Sequence, residues 1–127
     1  MRKPWSLARR EQYDAVFRHG KVAHGEFASV RVLPNGQETS RLGLVVSKRV
    51  GSAVQRNRAK RRIREAIDVR ALPAGWDIVV IARPGLRSAE YADVERELRG
   101  LLVRTGVLGP RGRDTGFPDS HLPENGI

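Results

Sequence analysis

Leu42-Gly43-Leu44-Val45-Val46-Ser47, then Lys48-Arg49-Val50-Gly51-Ser52, then the periodic run over residues 53–69, is the stretch that decides the fold. Its first six residues are almost continuously apolar, as in a central strand buried on both faces. Gly51 permits a turn, and the Ser52 hydroxyl can cap a helix by accepting a free backbone N–H. Within the helix Ala59, Ile63, Ala66 and Ile67 fall at i, i+4, i+7 and i+8 and form a core stripe. Pro73-Ala74-Gly75 then leads into Trp76-Asp77-Ile78-Val79-Val80-Ile81-Ala82, a β-branched run that reads as another strand. Strand, helix and strand in this order suggest a βαβ unit.

Outward from this unit, residues 7–19 read as a helix capped by Ser6 and stopped by Gly20, with Tyr13, Val16 and Phe17 on one face. Residues 27–33 alternate as a strand does. Ala28, Val30 and Val32 form its core face, and Phe27, Ser29 and Arg31 its mixed face. Pro34-Asn35-Gly36 breaks that strand. On the far side, Pro84-Gly85 turns the chain and Ser88 caps a last helix to about residue 105, with Tyr91, Val94, Leu98, Leu101 and Leu102 as its stripe. The acids Glu90, Asp93, Glu95 and Glu97 read as the solvated face of that helix. The predicted order is α-β-β-α-β-α, an α+β sandwich with a small mixed sheet packed with helices. Residues 1–106 form one domain. Residues 107–127, where Gly and Pro recur without apolar periodicity, read as a disordered tail.

Charge decides what kind of partner such a domain takes. Lys and Arg total 24 against 14 Asp and Glu, a net charge of +10 over 127 residues. An excess of this size repels itself unless a polyanion neutralises it. Between Thr39 and Arg64 there is no acid, while Arg41, Lys48, Arg49, Arg56, Arg58, Lys60, Arg61, Arg62 and Arg64 all fall there. On the helix Asn57, Arg61 and Arg64 lie opposite the core stripe. Like charges at helical spacing cost a few tenths of a kcal/mol per pair, about what opposite charges would gain. Phosphate contacts repay that cost, and guanidinium groups meet phosphate bidentately. Tyr13, Phe17 and Phe27 are candidates for stacking on unpaired bases, with core packing as the competing use of each.

Several classes are excluded or weakened. No run approaches the roughly 18 apolar residues of a membrane span, and the first residues lack the apolar stretch of a signal peptide, so a cytoplasmic protein is expected. There is no cysteine, which removes disulfides and thiolate chemistry. His19, His24 and His121 are scattered, and no acids cluster at metal-ligand spacing. A self-sufficient nuclease has nothing here to work with.

The segment from Ser47 to Glu65, with Arg56-Asn57-Arg58 preceded by Ser-Lys-Arg-x-Gly-x-Ala-Val, resembles the protein subunit of bacterial ribonuclease P and carries that family's RNR motif. Tyr13-Asp14-Ala15-Val16-Phe17-Arg18-His19-Gly20 is similar to the family's first helix. The resemblance implies a ribosomal-protein-S5 domain-2-like fold with a left-handed βαβ crossover. It implies a non-catalytic subunit of an endoribonuclease whose RNA carries the catalysis, using magnesium ions to remove the 5′ leader of precursor tRNA. The implied partners are the catalytic RNA and precursor tRNA, with oligomeric state left open. Carried over by position, Lys48, Arg49, Arg56, Asn57, Arg58, Lys60, Arg61 and Arg64 would bind RNA; the Asn57 amide, in the first turns of its helix, can donate to phosphate or accept from a hydrated metal ion. Tyr13 and Phe17 would line the leader cleft. The family's further aromatic on the strand after the first helix has no counterpart at Val30 or Arg31, so Phe27 or Arg31 would serve there. A bland RNA binder of ribosomal or chaperone kind and a protein-only nuclease are the alternatives.

Overall fold

The computed structural model describes residues 4–109. The elements run α1 (Arg10–His19), β1 (Lys21–His24), β2 (Ala28–Pro34), β3 (Arg41–Val45), α2 (Ala53–Ala66), β4 (Trp76–Ala82) and α3 (Tyr91–Arg104), with short 3₁₀ turns between some of them. The class is the expected α+β. The expected order lacked β1, whose four residues include one buried side chain, Ala23, too few to show a period.

The sheet is mixed, in the order β1-β2-β4-β3. β2 is antiparallel to both β1 and β4, whereas β3 and β4 are parallel and joined through α2. The expectation of a central strand at residues 42–47 is corrected: β3 is an edge strand, and β2 and β4 occupy the centre. In β3 only Gly43 is fully buried. The outer edge of β3 is covered by residues 5–7. The Leu7 N–H donates to the Leu42 carbonyl (3.0 Å), and the Leu42 N–H to the Trp5 carbonyl (2.8 Å). That pairing delays the first helix. Ser6 bridges to β3 and does not cap α1, and the Gln12 side chain instead accepts the Ala8 and Arg9 N–H groups at 2.8 and 2.9 Å.

One face of the sheet is closed by α2 and α3. Val30, Val32, Ile78 and Val80 from the strands meet Ile63 of α2 and Leu98 of α3 in a single core. Ser52 caps α2 as expected, in a reciprocal box with Gln55. The helix ends at Ala66, three residues early, because Ile67 turns extended while staying buried. Ser88 ends a 3₁₀ segment, and α3 begins after Glu90. The tail boundary also moves. Val107 and Leu108 are buried in the core, so the domain includes them, and residues 110–127 lie outside the described residues. Among the described residues, the other sheet face carries α1 and a small cluster of Leu7, Val16 and Val79.

Candidate nucleic-acid interface

α2 divides its residues by face. Ala59, Ile63 and Ala66 are buried, while Asn57, Arg58, Arg61 and Arg64 are exposed. The ion pairs among the described residues are Arg41–Asp77, Arg70–Asp68, Arg96–Asp93 and Arg99–Glu95, so no α2 cation has an acidic partner. Two cations of the acid-free window are nevertheless spent inside the fold. Arg41 clamps the buried Asp77 through two 2.8 Å bonds, which raise the pKa of its guanidinium against the opposing effect of burial. Arg62 donates to the Leu86 carbonyl at 2.9 Å. Arg56 is half-buried, and its Nε has no hydrogen-bond partner. Lys60 is half-buried as well. With Arg64 it lines a groove beside the β3 edge, opposite Trp5, Tyr13 and Leu42.

Lys48 and Arg49 sit exposed in a 3₁₀ turn just before α2. The Ser47 hydroxyl accepts the Arg49 N–H, and Gly51 adopts φ +147°, a geometry that side chains rarely take. Arg87 ties this turn down: its guanidinium donates to the Val50 carbonyl (3.2 Å) and to Gln55 Oε1 (3.3 Å). Sequence reasoning missed Arg87, because it lies 32 residues beyond Gln55 and outside the acid-free window. The α2 N-terminus beyond this turn carries a positive dipole end, which favours an anion.

The aromatic candidates separate. Tyr13 lies against β3, where a Cβ on Gly43 would fall 2.6–2.7 Å from its ring. Phe17 remains 40% exposed, with the Arg31 guanidinium 5.1 Å from its ring centroid and bonded to its carbonyl at 3.3 Å. Tyr13, Phe17 and Arg31 therefore share the α1 side of the sheet. Phe27 does not join them. It precedes β2 and packs against the main core on the opposite face, because Glu97 pins its backbone. That carboxylate accepts the N–H groups of Glu26, Phe27 and Ala28 at 2.7, 2.7 and 3.0 Å. Glu97 thus ties α3 to the β1–β2 turn, a correction to its reading as solvated, and Glu95 pairs with Arg99.

Among the described residues no group of three or more His, Cys, Asp or Glu stands together to hold a metal ion. Asn57 is exposed on an acid-free stretch of α2. No helix among the described residues is long and apolar enough to cross a membrane.

A family model described as Ribonuclease P matches residues 1–106. A "Ribonuclease P protein component" of Dehalococcoides mccartyi is 41% identical over 117 residues, covering 92% of this chain and 98% of the relative. The RNase P protein of Thermotoga maritima superposes with a TM-score of 0.70 at 35% identity, covering 81% of this chain and 97% of that one. That of Staphylococcus aureus superposes with a TM-score of 0.74 at 28% identity, covering 83% and 98%.

Proposed function

The chain belongs to the ribonuclease P protein family, and from that premise we propose that it binds the catalytic RNA through α2 and the turn before it, and the unpaired 5′ leader of precursor tRNA beside α1. The observation that carries the reading is the division of α2: one face is buried in the core, and the other exposes Asn57, Arg58, Arg61 and Arg64, whose cations form no ion pair with an acid among the described residues. Lys48 and Arg49 extend that surface, and Arg56 and Lys60 flank it. Each phosphate neutralised there releases counterions, so binding weakens steeply with salt.

Tyr13, Phe17 and Arg31 form the leader side. Arg31 stands where the family's resemblance implies an aromatic and supplies guanidinium stacking in its place. Magnesium is assigned to the RNA, as the family resemblance implies. The protein's work is to hold leader and catalytic RNA together, which lowers the magnesium that the RNA needs. Such a complex belongs in the cytoplasm.

Reconstitution tests the reading. The protein alone leaves precursor tRNA intact, and added to its cognate catalytic RNA it lowers the magnesium required for leader removal. Absence of that effect sinks the assignment. A plain RNA binder would give equal affinity for precursor and mature tRNA in the assembled complex.

A further inference from the structure

Strand register aligns side chains across the α1 side of the sheet. One row consists of Val22, Arg31, Val79 and Gly43, opposite one another in β1, β2, β4 and β3. α1 sits on this row. Tyr13 lies on Gly43, Val16 packs with Val79, and Phe17 meets Arg31. The next row on the same face is His24, Ser29, Ile81 and Val45. Ile81 and Val45 are half-buried and apolar, and His24 is exposed. Three inter-strand steps of about 4.8 Å make this row roughly 14 Å long, a span that a short run of unpaired nucleotides covers.

The ends of the row differ in a useful way. Beyond Val45 the chain continues directly into Ser47, Lys48 and Arg49, the basic turn before α2. At the other end His24 is held in place twice. Its Nδ1 lies 2.9 Å from the hydroxyl of Ser29, which is only 7% exposed, and its carbonyl accepts from the Arg104 guanidinium at 3.3 Å. Fixing Nδ1 leaves Nε2 and the ring face for a ligand. The order along the row is therefore cations, apolar floor, then a fixed imidazole, with Arg104 tying down the backbone that carries it. A cationic end and a ring on which a base can stack are features by which single-stranded nucleic acid is held.

We propose that the leader crosses the sheet along this row, at right angles to the strands, starting from Lys48 and Arg49 and passing last over His24. His24 contacts the base farthest from the cleavage site, and Ser29 is a positioning residue that holds its ring. The proposal rests on the leader-binding reading above and adds to it the path and the outer subsite.

The test uses the full chain assembled with its catalytic RNA, and precursor tRNAs whose leaders grow one nucleotide at a time. Affinity for the wild-type complex should step up at the leader length that reaches β1. His24→Ala should remove that step, a loss of about three- to tenfold as expected for one hydrogen bond or weak stack. Ser29→Ala should give a smaller loss at the same length. Circular dichroism and the affinity of each variant for the catalytic RNA verify that folding is retained. A His24→Ala complex that matches wild type at every leader length overturns the outer subsite and leaves the leader reading standing. A wild-type complex that does not distinguish leader-bearing from leaderless tRNA overturns both.

Discussion

The two faces of the sheet are built to different ends. The closed face buries Val30, Val32, Ile78 and Val80 completely, or to within 1% of it, under α2 and α3. The open face buries Val79 beneath α1 but leaves Phe17 40% and Val22 37% exposed. A chain with few apolar residues spends them on one side and keeps the other half-covered. Apolar area removed from water stabilises the fold at about 25 cal/mol per Å², so stability resides mainly on the closed face. The open face keeps aromatic and guanidinium surface available to a ligand.

That contrast can be broken from either side. The largest effect is expected on the closed face, where Leu98→Ala deletes a fully buried side chain. It should cost about 2–5 kcal/mol in chemical denaturation, and RNA affinity should stay near wild type below the unfolding midpoint. Loss of RNA affinity in a still-folded Leu98→Ala protein would mean that the faces are not separable.

Asp77→Ala breaks the buried ion pair with Arg41 and leaves that guanidinium, whose side chain is 17% exposed, without its carboxylate. About 3 kcal/mol of destabilisation is expected, at the low end for breaking a buried pair. A stability within experimental error of wild type would show that solvent already screens Arg41.

Phe17→Ala should reverse the pattern. Leader-dependent affinity falls by about 1–3 kcal/mol, the size of a base–aromatic stack, while the denaturation midpoint moves little. A stability loss without a leader effect would return Phe17 to the core. Arg61→Ala is the mildest test. Stability stays within about 0.5 kcal/mol, and the slope of log affinity against log salt shrinks by roughly one. An unchanged slope would mean that the exposed face of α2 is only solvated.

Much of the candidate site was legible in the sequence because it is local. The stripe Ala59, Ile63 and Ala66, the Ser52 cap and the exposed Asn57, Arg61 and Arg64 all follow from helical periodicity within one element, and the structure keeps them. Tyr13 and Phe17 were found the same way on α1. The misreadings share the opposite property. Phe27 was placed beside Arg31 by strand alternation, yet Glu97, 70 residues away, pins it to the other face. Arg41 was counted with the free cations, but Asp77 claims it across 36 residues. The strand at residues 42–47 looked central from its apolar run, and its edge position became visible only with the parallel pairing to β4 and the cover of residues 5–7.

The sequence by itself determined that this protein carries a basic helix with one buried and one cationic face, and that its RNR order marks the family. Periodicity and composition are properties of neighbouring residues, and neighbours on the chain stay neighbours in the fold. Only the tertiary structure decided which cations remain free, that Arg87 holds the basic turn, and that His24, Ser29, Ile81 and Val45 form one row across four strands. Those relations depend on strand register and long-range packing. A one-residue slip of register would send a strand's side chains to the opposite face, and nothing local fixes it.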